Sequence, residues 1–403
     1  MPQENIFVTQ CCIVGGGPAG MMAGYLLARA GIDTIVIEKW PDFFRDFRGD
    51  TIHPSTLELM YELGLLDEFL KLPHNKTTQL SAKIGNDEIV IADFSKLKMH
   101  CPFIAFMPQW DFLNFIAEKA KKIPCFHLFM ETEAIDLIHS NEDITGVIAR
   151  KNNQQITIQS KLVIGADGRH AMTREKSHLT LESLSAPMDV LWFHLSRYST
   201  DPKESFGRLD HGRMVVMIER GDYWQCGYLI RKGGYDNIVK NGIETFRNDF
   251  AELMPSMHDR VHEITSWDKI KLLTVCVDRL KKWYLPGLLC IGDAAHAMSP
   301  IGGVGINLAI QDAVAAANIL IPTLRTDTLT VEDLKRVQDR REFPVKVIQR
   351  FQVFIQNHVI DKVLDNKTPT KVPFTFKLLR WIPYLRRLTA YLIGVGIRPE
   401  KIK

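Results

Sequence analysis

The sequence lacks most features that mark secreted, metal-binding and hydrolytic proteins. Its 403 residues include 7 cysteines, and an odd number without a CxxC pair or regular spacing argues against a disulfide framework and a zinc site. No basic segment followed by an apolar one opens the chain, so no signal peptide is predicted. GxSxG and HExxH motifs are absent, which gives no support to a hydrolase. We therefore expect no bound metal and a reducing, cytoplasmic setting.

The sequence also lacks an uninterrupted apolar run and a strong net charge. Residues 285–320 form the most apolar stretch, but five polar residues make membrane insertion costly. These are Asp293, His296, Asn307, Gln311 and Asp312. The net charge of +3 is too small to indicate nucleic-acid binding. The charge is unevenly spread. Residues 371–403 carry eight basic residues and one glutamate, whereas the rest of the chain, the acidic body, has a small net negative charge.

What the sequence does contain is two kinds of secondary-structure pattern. Residues 7–14 and 34–37 are typical of buried strands on either side of a helix over 18–30, which makes a βαβ unit. Residues 187–231 are strand-rich blocks separated by Gly and Asp turns, typical of an antiparallel sheet. From about residue 331 the chain is predicted to be helical, with interruptions at its prolines. These are Pro344, Pro369, Pro373 and Pro383.

These patterns predict a doubly wound, Rossmann-like α/β domain with an inserted antiparallel-sheet domain and a helical C-terminal segment. The dinucleotide-binding domain is predicted to comprise residues 1–75, 102–181 and 273–340. The inserted substrate-binding sheet domain is predicted to comprise residues 76–101 and 182–272, and the helical C-terminal region residues 341–403. A length of 403 residues suits two such domains.

A glycine-rich turn follows the first predicted strand. Its GxGxxG pattern is Gly15, Gly17 and Gly20, and Glu38 ends the second strand. The first glycine permits a tight turn, the second lets backbone approach a diphosphate, and the third lets helix and strand pack closely. A carboxylate there can accept from ribose hydroxyls and disfavours a 2′-phosphate, so FAD or NAD is predicted. The alternative is a turn used only for packing. Further predicted contacts are Pro18, Ala19 and Lys39.

A second glycine-rich segment, residues 289–312, reads LCIGDAAHAMSPIGGVGINLAIQD. Its glycines precede a helix whose N-terminus suits a negatively charged ligand. It fits the pattern GD-x-x-H-x-x-x-P-x-x-G-x-G-x-N at every fixed position. On this motif the chain resembles the single-component, class A FAD-dependent aromatic hydroxylases, the family of p-hydroxybenzoate hydroxylase and phenol hydroxylase. The resemblance assigns to FAD binding Asp293, Pro300, Gly302, Gly305, Ile306 and Asn307.

A third segment, VIGADGRHAMTR, extends the resemblance. It places Asp167 and Gly168 near the flavin diphosphate, although the family's usual Ser and Val are Ala171 and Thr173 here.

Two single residues complete the resemblance to the family's FAD site. Arg48 resembles the arginine on the FAD phosphates, and Gln109 resembles the glutamine on the ribityl side. These landmarks cover residues 10–320, about three quarters of the chain. Because the sequence has one GxGxxG-plus-acid unit, NADH or NADPH is expected to dock transiently rather than occupy a domain of its own.

The resemblance implies an FAD-dependent NAD(P)H monooxygenase. In such enzymes NAD(P)H reduces the flavin, O₂ forms a flavin C4a-hydroperoxide, and hydroxyl passes to an electron-rich substrate. We expect an aromatic or polyketide-like small-molecule substrate, no nucleic-acid partner, and a monomer or homodimer. The alternatives are a halogenase, an isoprenoid-type reductase, and an FAD-retaining binding protein without turnover. A dedicated halogenase would carry a WxWxIP element, which the sequence lacks.

Three residues are candidates for the chemistry. Asp50 aligns with a carboxylate that phenol hydroxylases use to activate the substrate hydroxyl, so it is a candidate general base; the alternative is a turn residue. His53 either faces the flavin or starts the next helix, and we favour the helix start. Pro300 resembles the proline whose carbonyl faces the substrate. His296 is expected to pack rather than react.

The inserted sheet is expected to form the far wall of the substrate pocket. The candidate wall residues are Trp192, His194, Met217, Trp224 and Tyr228. Strand alternation puts Trp192 with His194 on one face and Trp224 with Tyr228 on one face of another strand. The pattern does not say which face is turned inward, and for each residue a place in the core is the favoured interpretation.

The basic C-terminal segment has two interpretations. Arg380, Arg386 and Arg387 stand among Leu, Trp, Tyr and Ile, which suits a helix lying on a membrane surface. The alternative, which we favour, is a capping helix that packs on the first domain and pairs its bases with the acidic body. A cytoplasmic protein is expected in both cases, peripheral to the membrane in the first.

Overall fold

The structure, a computed structural model, describes residues 5–44, 51–85, 87–365, 372 and 374–403. Its strands are β1 (Asn5–Val14), β2 (Thr34–Ile37), β3 (Thr51–Ile52), β4 (Asn75–Thr77), β5 (Gln79–Ile84), β6 (Asp87–Asp93), β7 (Ile104–Phe106), β8 (Phe126–Phe129), β9 (Thr132–Ser140), β10 (Asp143–Lys151), β11 (Gln154–Gly165), β12 (Leu181–Leu184), β13 (Met188–Ser196), β14 (Phe206–Asp210), β15 (Arg213–Glu219), β16 (Tyr223–Arg231), β17 (Lys271–Leu273), β18 (Val277–Leu280), β19 (Tyr284–Leu285), β20 (Leu288–Cys290) and β21 (His296–Ala297).

The α-helices are α1 (Pro18–Arg29), α2 (Pro54–Glu62), α3 (Leu66–Phe69), α4 (Gln109–Ala120), α5 (Met172–Lys176), α6 (Tyr235–Asn241), α7 (Ile243–Leu253), α8 (Gly305–Arg325), α9 (Val331–Ile355), α10 (Asp361–Asp365), α11 (Phe374–Trp381) and α12 (Pro383–Gly394). A π-helical turn, Gln356–Ile360, joins α9 to α10. Short 3₁₀ turns at Gly292–Ala294 and Ile301–Gly303 precede α8.

The centre of the first domain is an eight-stranded sheet with a parallel core. Its order is β19-β20-β11-β1-β2-β8, with β10 and β9 added as an antiparallel extension of β11. The strands β1, β2, β8, β11 and β20 run parallel to one another, as the βαβ pattern predicts. The helix predicted over 18–30 is α1, and it packs against α8 and α4. The carboxyl ends of β1, β2 and β20 therefore meet along one edge of the sheet.

A seven-stranded sheet forms the second domain. Its order is β17-β13-β16-β15-β14-β5-β6, and its pairs are antiparallel except β14 with β5. One face, with α7 packed on it, encloses a separate core built around Phe193, Trp224 and Phe250. The other face is turned toward the first domain, because Trp192 and Val216 pack against the main core. Two small sheets, β3-β7-β4 and β12-β18-β21, complete the β structure of the described segments.

The C-terminal helices differ in two respects from the prediction. The helix α9 runs through Pro344, where an interruption was predicted, because the buried proline ring packs in the interior and the helix continues on both sides. The boundary predicted between residues 340 and 341 falls inside this helix. Leu334, Val345 and Ile348 belong to the main hydrophobic core, so the first domain includes α9.

The segment Ile301–Arg325 is long and apolar enough to cross a membrane, with a mean hydropathy of 1.6. In this fold 72% of its most apolar window is buried inside the protein. We interpret it as the core helix of the first domain.

Candidate functional site

The turn between β1 and α1 has the geometry of a diphosphate cradle. Gly15 has a φ of +105°, and a Cβ at this position would lie 2.4 Å from the carbonyl oxygen of Ala166. A Cβ at Gly20 would lie 1.9 Å from the carbonyl oxygen of Gly15, so helix and turn pack too closely for a side chain. A Cβ at Gly17 would meet nothing within 4 Å. Two glycines are thus required by the backbone, while the third leaves open space where a ligand can approach.

The N-terminus of α1 faces the same open space. Gly17 is its N-cap, Pro18 occupies the first turn, and this turn contains no acidic residue. The free N–H groups and the partial positive charge of the helix end suit a diphosphate. The side chain of Ala19 is buried behind the turn.

Glu38 is fixed at the end of β2 by two backbone donors. Its Oε2 accepts from the Gly16 N–H at 2.9 Å, and its Oε1 accepts from the Trp40 N–H at 3.2 Å. A carboxylate held at this strand end is the type of group that accepts from ribose hydroxyls. Lys39 is exposed and lies over the Trp40 ring, with its Nζ 5.3 Å from the ring centroid. The glutamate therefore fits the predicted role, while the lysine is turned to solvent.

The second glycine-rich segment meets the first at Gly292. This residue has a φ of +59°, and a Cβ there would lie 3.1 Å from the Cβ of Ala19 and 3.2 Å from that of Ala309. The contact joins α1 to α8 and brings both glycine-rich loops to one place. Asp293 is half-buried beside it, and its Oδ2 accepts from the Nε of Arg169 at 3.3 Å. Arg169 stands within the third motif but was missed as a site residue.

Asp167 holds the third motif in shape. Its Oδ2 accepts from the Thr173 N–H at 2.9 Å and its Oδ1 from the Thr173 hydroxyl at 2.7 Å. Burial raises the pKa of Asp167, and these hydrogen bonds oppose that rise. Gly168, with a φ of +85°, has nothing within 4 Å of where its Cβ would be. Asp167 is thus occupied within the loop, whereas Gly168 leaves room for a ligand.

The N-terminus of α8 is tied to α2 by hydroxyl groups. The Oδ1 of Asn307 accepts from Ser55 Oγ at 2.7 Å and from Thr56 Oγ1 at 2.9 Å. Thr51 Oγ1 donates to the carbonyl of Gly303 at 2.9 Å. A Cβ at Gly303 would lie 2.3 Å from the Thr51 hydroxyl oxygen, so only glycine fits there. Sequence reasoning missed these three hydroxyls, although they stand together in TIHPST. They fix the loop that leads into α8.

His53 is the N-cap of α2 and also contacts that loop. Its Nε2 lies 3.1 Å from the carbonyl oxygen of Gly303. Burial lowers the pKa of His53 to about 4, opposed by backbone hydrogen bonds to Ile393 and Gly303. The imidazole is therefore neutral at pH 7. His53 therefore begins α2, as we favoured, and also lies beside the loop that leads into α8.

The loop before α8 makes its own turn. The Pro300 carbonyl accepts from the Gly303 N–H at 3.0 Å, so this oxygen is engaged within the turn. Gly302 has a φ of +76°, Gly305 is the first residue of α8, and Ile306 is buried beside it.

The remaining predicted FAD contacts stand elsewhere. Gln109 is the half-buried first residue of α4. Arg48 lies outside the described residues, and so does Asp50, the proposed general base.

The five predicted wall residues divide between the two faces of the seven-stranded sheet. Met217, Trp224 and Tyr228 point into the core beneath α7, away from the first domain. As candidates for the pocket wall these three residues are therefore corrected: they occupy the core, which was the favoured interpretation, because alternation along the strands turns them to the far side. Trp192 is on the near face, stacked over Gly227 and in one cluster with Ile301. His194 shares its face but is exposed, 4.7 Å from the Tyr223 ring.

A buried ionic network supports the site from behind. His296 Nε2 lies 2.5 Å from Asp312 Oδ2, and Arg341 Nε lies 2.9 Å from Asp312 Oδ1. Burial raises the pKa of Asp312, but its two basic partners outweigh burial and hold that pKa below its ordinary value. The Gly292 N–H also donates to Asp312 Oδ2, at 3.1 Å. His296 therefore packs and positions the Gly292 turn, as expected.

The chain is similar to known flavoproteins in sequence and in fold. Residues 8–350 match the family described as FAD binding domain. The 6-methylpretetramide 4-monooxygenase of Streptomyces rimosus is 28% identical over 347 residues, which cover 86% of this chain and 83% of that protein. The pentachlorophenol 4-monooxygenase of Sphingobium chlorophenolicum is 25% identical over 75% of this chain and 56% of its own length.

A solved structure extends the likeness in fold. The flavin-dependent brominase Bmp2 has a TM-score of 0.77 at 16% identity, over 96% of this chain and 93% of that one. The residues present fit FAD, because the cradle at Gly17, the fixed carboxylate of Glu38 and the open position at Gly168 suit its diphosphate and ribose. The chain belongs to the class A FAD-dependent aromatic hydroxylase family, and it is an FAD-binding oxidoreductase.

Proposed function

We propose that this protein hydroxylates an aromatic or polyketide-like small molecule, with NADH or NADPH as reductant and O₂ as the source of oxygen. One oxygen atom enters the substrate and the other leaves as water, while NAD(P)H is oxidised. The observation that carries the proposal is the close approach of Gly292 to both Ala19 and Ala309, whose Cβ atoms would lie 3.1 and 3.2 Å from a Cβ added at Gly292. It unites two glycine-rich loops at the N-terminal ends of α1 and α8, as one extended flavin dinucleotide requires.

When bound, FAD supplies the redox chemistry, taking electrons from NAD(P)H and delivering oxygen to the substrate. The chain supplies binding and orientation. The α1 turn receives the diphosphate, and Glu38 receives the ribose. The N-terminus of α8 has no acidic residue in its first turn, so its N–H groups present positive charge to an anionic ring edge. The hydroxyls of Ser55 and Thr56 hold Asn307 in place within that donor group.

The substrate side is supported by the near face of the seven-stranded sheet. Trp192, Met214 and Val216 share one apolar cluster with Ile301 of the turn before α8. A flat aromatic substrate placed there would lie between apolar side chains and the cofactor loop, and those side chains would exclude water from the reaction. The relative from Streptomyces rimosus is named a 6-methylpretetramide 4-monooxygenase, which supports this substrate class.

The test is turnover of purified protein with a panel of phenols and fused-ring polyketides. We expect flavin absorbance in the purified protein, NAD(P)H oxidation stimulated by a subset of the panel, and a product heavier by one oxygen atom. Reactions run with bromide or chloride separate a halogenase, which would give a halogenated product instead. A product heavier by two hydrogen atoms, with no oxygen added, would indicate a reductase. Bound flavin that NAD(P)H never reduces, with or without ligand, would overturn the proposal.

A further inference from the structure

The outward side of the last long helix carries an apolar and aromatic stripe. Tyr384, Leu388 and Tyr391 follow one another at intervals of four and three residues, which places them on one side of α12. Their exposed fractions are 70%, 45% and 44%. At the junction of α11 and α12, Trp381 and Ile382 are exposed to 66% and 44%. We call these five residues the C-terminal aromatic surface.

The opposite side of α12 is built into the fold, so the surface is held in a fixed orientation. Ala390 and Ile393 are buried in the main core. A Cβ at Gly394 would lie 2.9 Å from the Phe94 ring, and one at Gly302 would lie 3.8 Å from Ile393. The capping interpretation that we favoured placed this segment on the first domain. Its inner side instead packs mainly on β6 of the seven-stranded sheet and approaches the turn before α8 at Ile393, while its outer side is exposed.

The charge around this surface is positive. Residues 374–394 contain Lys377, Arg380, Arg386 and Arg387 and no acidic residue. Arg386 donates to the carbonyls of Leu379 at 2.7 Å and Arg380 at 3.0 Å, which fixes the corner between the two helices. Arg380 pairs with the exposed Asp87 at 3.1 Å. Lys377 and Arg387 are exposed beside the aromatic side chains.

We propose that the C-terminal aromatic surface binds the surface of a lipid bilayer that contains anionic lipids. Trp and Tyr place an apolar ring and a polar edge at the level of the headgroups, and Leu and Ile enter the acyl boundary. The neighbouring bases attract anionic headgroups. A helix with one apolar, aromatic side and basic neighbours lies in the plane of the interface. Pairing of this surface with its own copy would bring bases against bases, so charge complementarity favours lipid over a second chain.

The test is sedimentation of the flavin-loaded full chain with vesicles of phosphatidylcholine alone or with about one third phosphatidylserine. We expect binding to the mixed vesicles at low salt, weaker binding at physiological salt, and little binding to phosphatidylcholine alone. Tyr384→Ser with Leu388→Ser should weaken binding at least tenfold, since both side chains lose apolar contact with lipid. Lys377→Gln with Arg387→Gln should weaken it by roughly an order of magnitude at low salt and less at high salt.

Matched controls change comparable exposed residues elsewhere. Val8→Ser with Phe354→Ser removes exposed apolar side chains, and Lys203→Gln with Lys240→Gln removes exposed bases. The control variants should bind vesicles like the original chain. Equal pelleting with and without vesicles, or equal loss in the control variants, would overturn the proposal. A dimer in solution that the Tyr384→Ser, Leu388→Ser variant abolishes, without vesicle binding by the original chain, would assign the surface to self-association and also overturn it.

Discussion

The two domains encode their parts of the site in different ways. In the first, the backbone dictates residue type: Gly15 is required by its positive φ, and Gly20 because a Cβ there would lie 1.9 Å from the carbonyl oxygen of Gly15. In the seven-stranded sheet, Trp192 and Trp224 have the same residue type and the same alternating pattern. One nevertheless lies against the cofactor loop and the other in a separate core. Backbone requirements can thus be predicted from a local motif. Which face of a sheet is turned toward the site depends on the elements that pack on it and cannot be predicted locally.

The largest expected effect on cofactor binding and turnover concerns the backbone-encoded half. Gly17→Val places a side chain where the structure leaves open space, at a φ of −73° that any residue adopts. The fold should persist, while FAD affinity falls by roughly a hundredfold or more, about 2.7 kcal/mol, because the diphosphate can no longer approach the turn. Flavin titration by fluorescence and circular dichroism measure the two quantities. Gly207→Ala, whose Cβ would meet ordinary contacts at 3.7 Å, is the matched control and should keep its flavin. Full flavin binding by Gly17→Val would show that this turn serves packing alone.

The next effect tests the two sheet faces against each other. Trp224→Ala should lower the free energy of unfolding by about 3 to 5 kcal/mol, because Trp224 is fully buried and donates to Asp201 at 3.0 Å. It should leave KM for the aromatic substrate nearly unchanged. Trp192→Ala should cost about 1 to 2 kcal/mol but raise KM, since this ring lies on the side of the cofactor loop. Denaturant unfolding and steady-state kinetics on both variants separate the faces. A reversed pattern would place the substrate beneath α7.

Much of the first domain could be predicted from sequence, and the reasons are physical. The roles of Gly15, Gly17, Gly20 and Glu38 follow from short-range backbone geometry. The orientation of Met217, Trp224 and Tyr228 could not be predicted, because alternation defines two faces but does not name the inner one.

Long-range contacts account for the rest of what sequence reasoning missed. Arg341 reaches Asp312, and Ile393 reaches the turn at Gly302, across long stretches of chain. A break in the helix was predicted at Pro344, but α9 continues through this residue, whose ring is buried.

A third expected effect concerns pH and the loop that joins the two regions. His53 has a pKa near 4 in the fold against an ordinary 6.5, so the unfolded chain binds the proton more readily. Stability from this group is fully present above pH 6.5 and is lost as pH falls toward 4, by an amount on the order of 3 kcal/mol. Thermal melting between pH 4 and 7 should therefore be less pH-dependent in His53→Gln than in the original chain. Parallel curves would contradict the neutral, buried imidazole.

The smallest expected effect is at Glu38. Glu38→Gln keeps the side-chain shape but replaces one of the two carboxylate oxygens, which accept from the Gly16 and Trp40 N–H groups, with an NH₂ group. FAD should therefore bind about tenfold more weakly, which is about 1.4 kcal/mol. Flavin titration measures it, with Glu133→Gln on the exposed edge of β9 as the matched control. An unchanged affinity in Glu38→Gln would show that this carboxylate only shapes the loop.

The central claim is that the two glycine-rich loops form one flavin site serving a hydroxylation on the Trp192 side of the sheet. The most direct measurement is turnover with isotopically heavy O₂, NAD(P)H and an aromatic substrate, followed by mass spectrometry of the product. The account predicts a product that carries one heavy oxygen atom, formed by the original chain and by Trp224→Phe, and lost in Gly17→Val. NAD(P)H oxidation by the flavin-loaded protein with no heavy oxygen in any product of the substrate panel would contradict it.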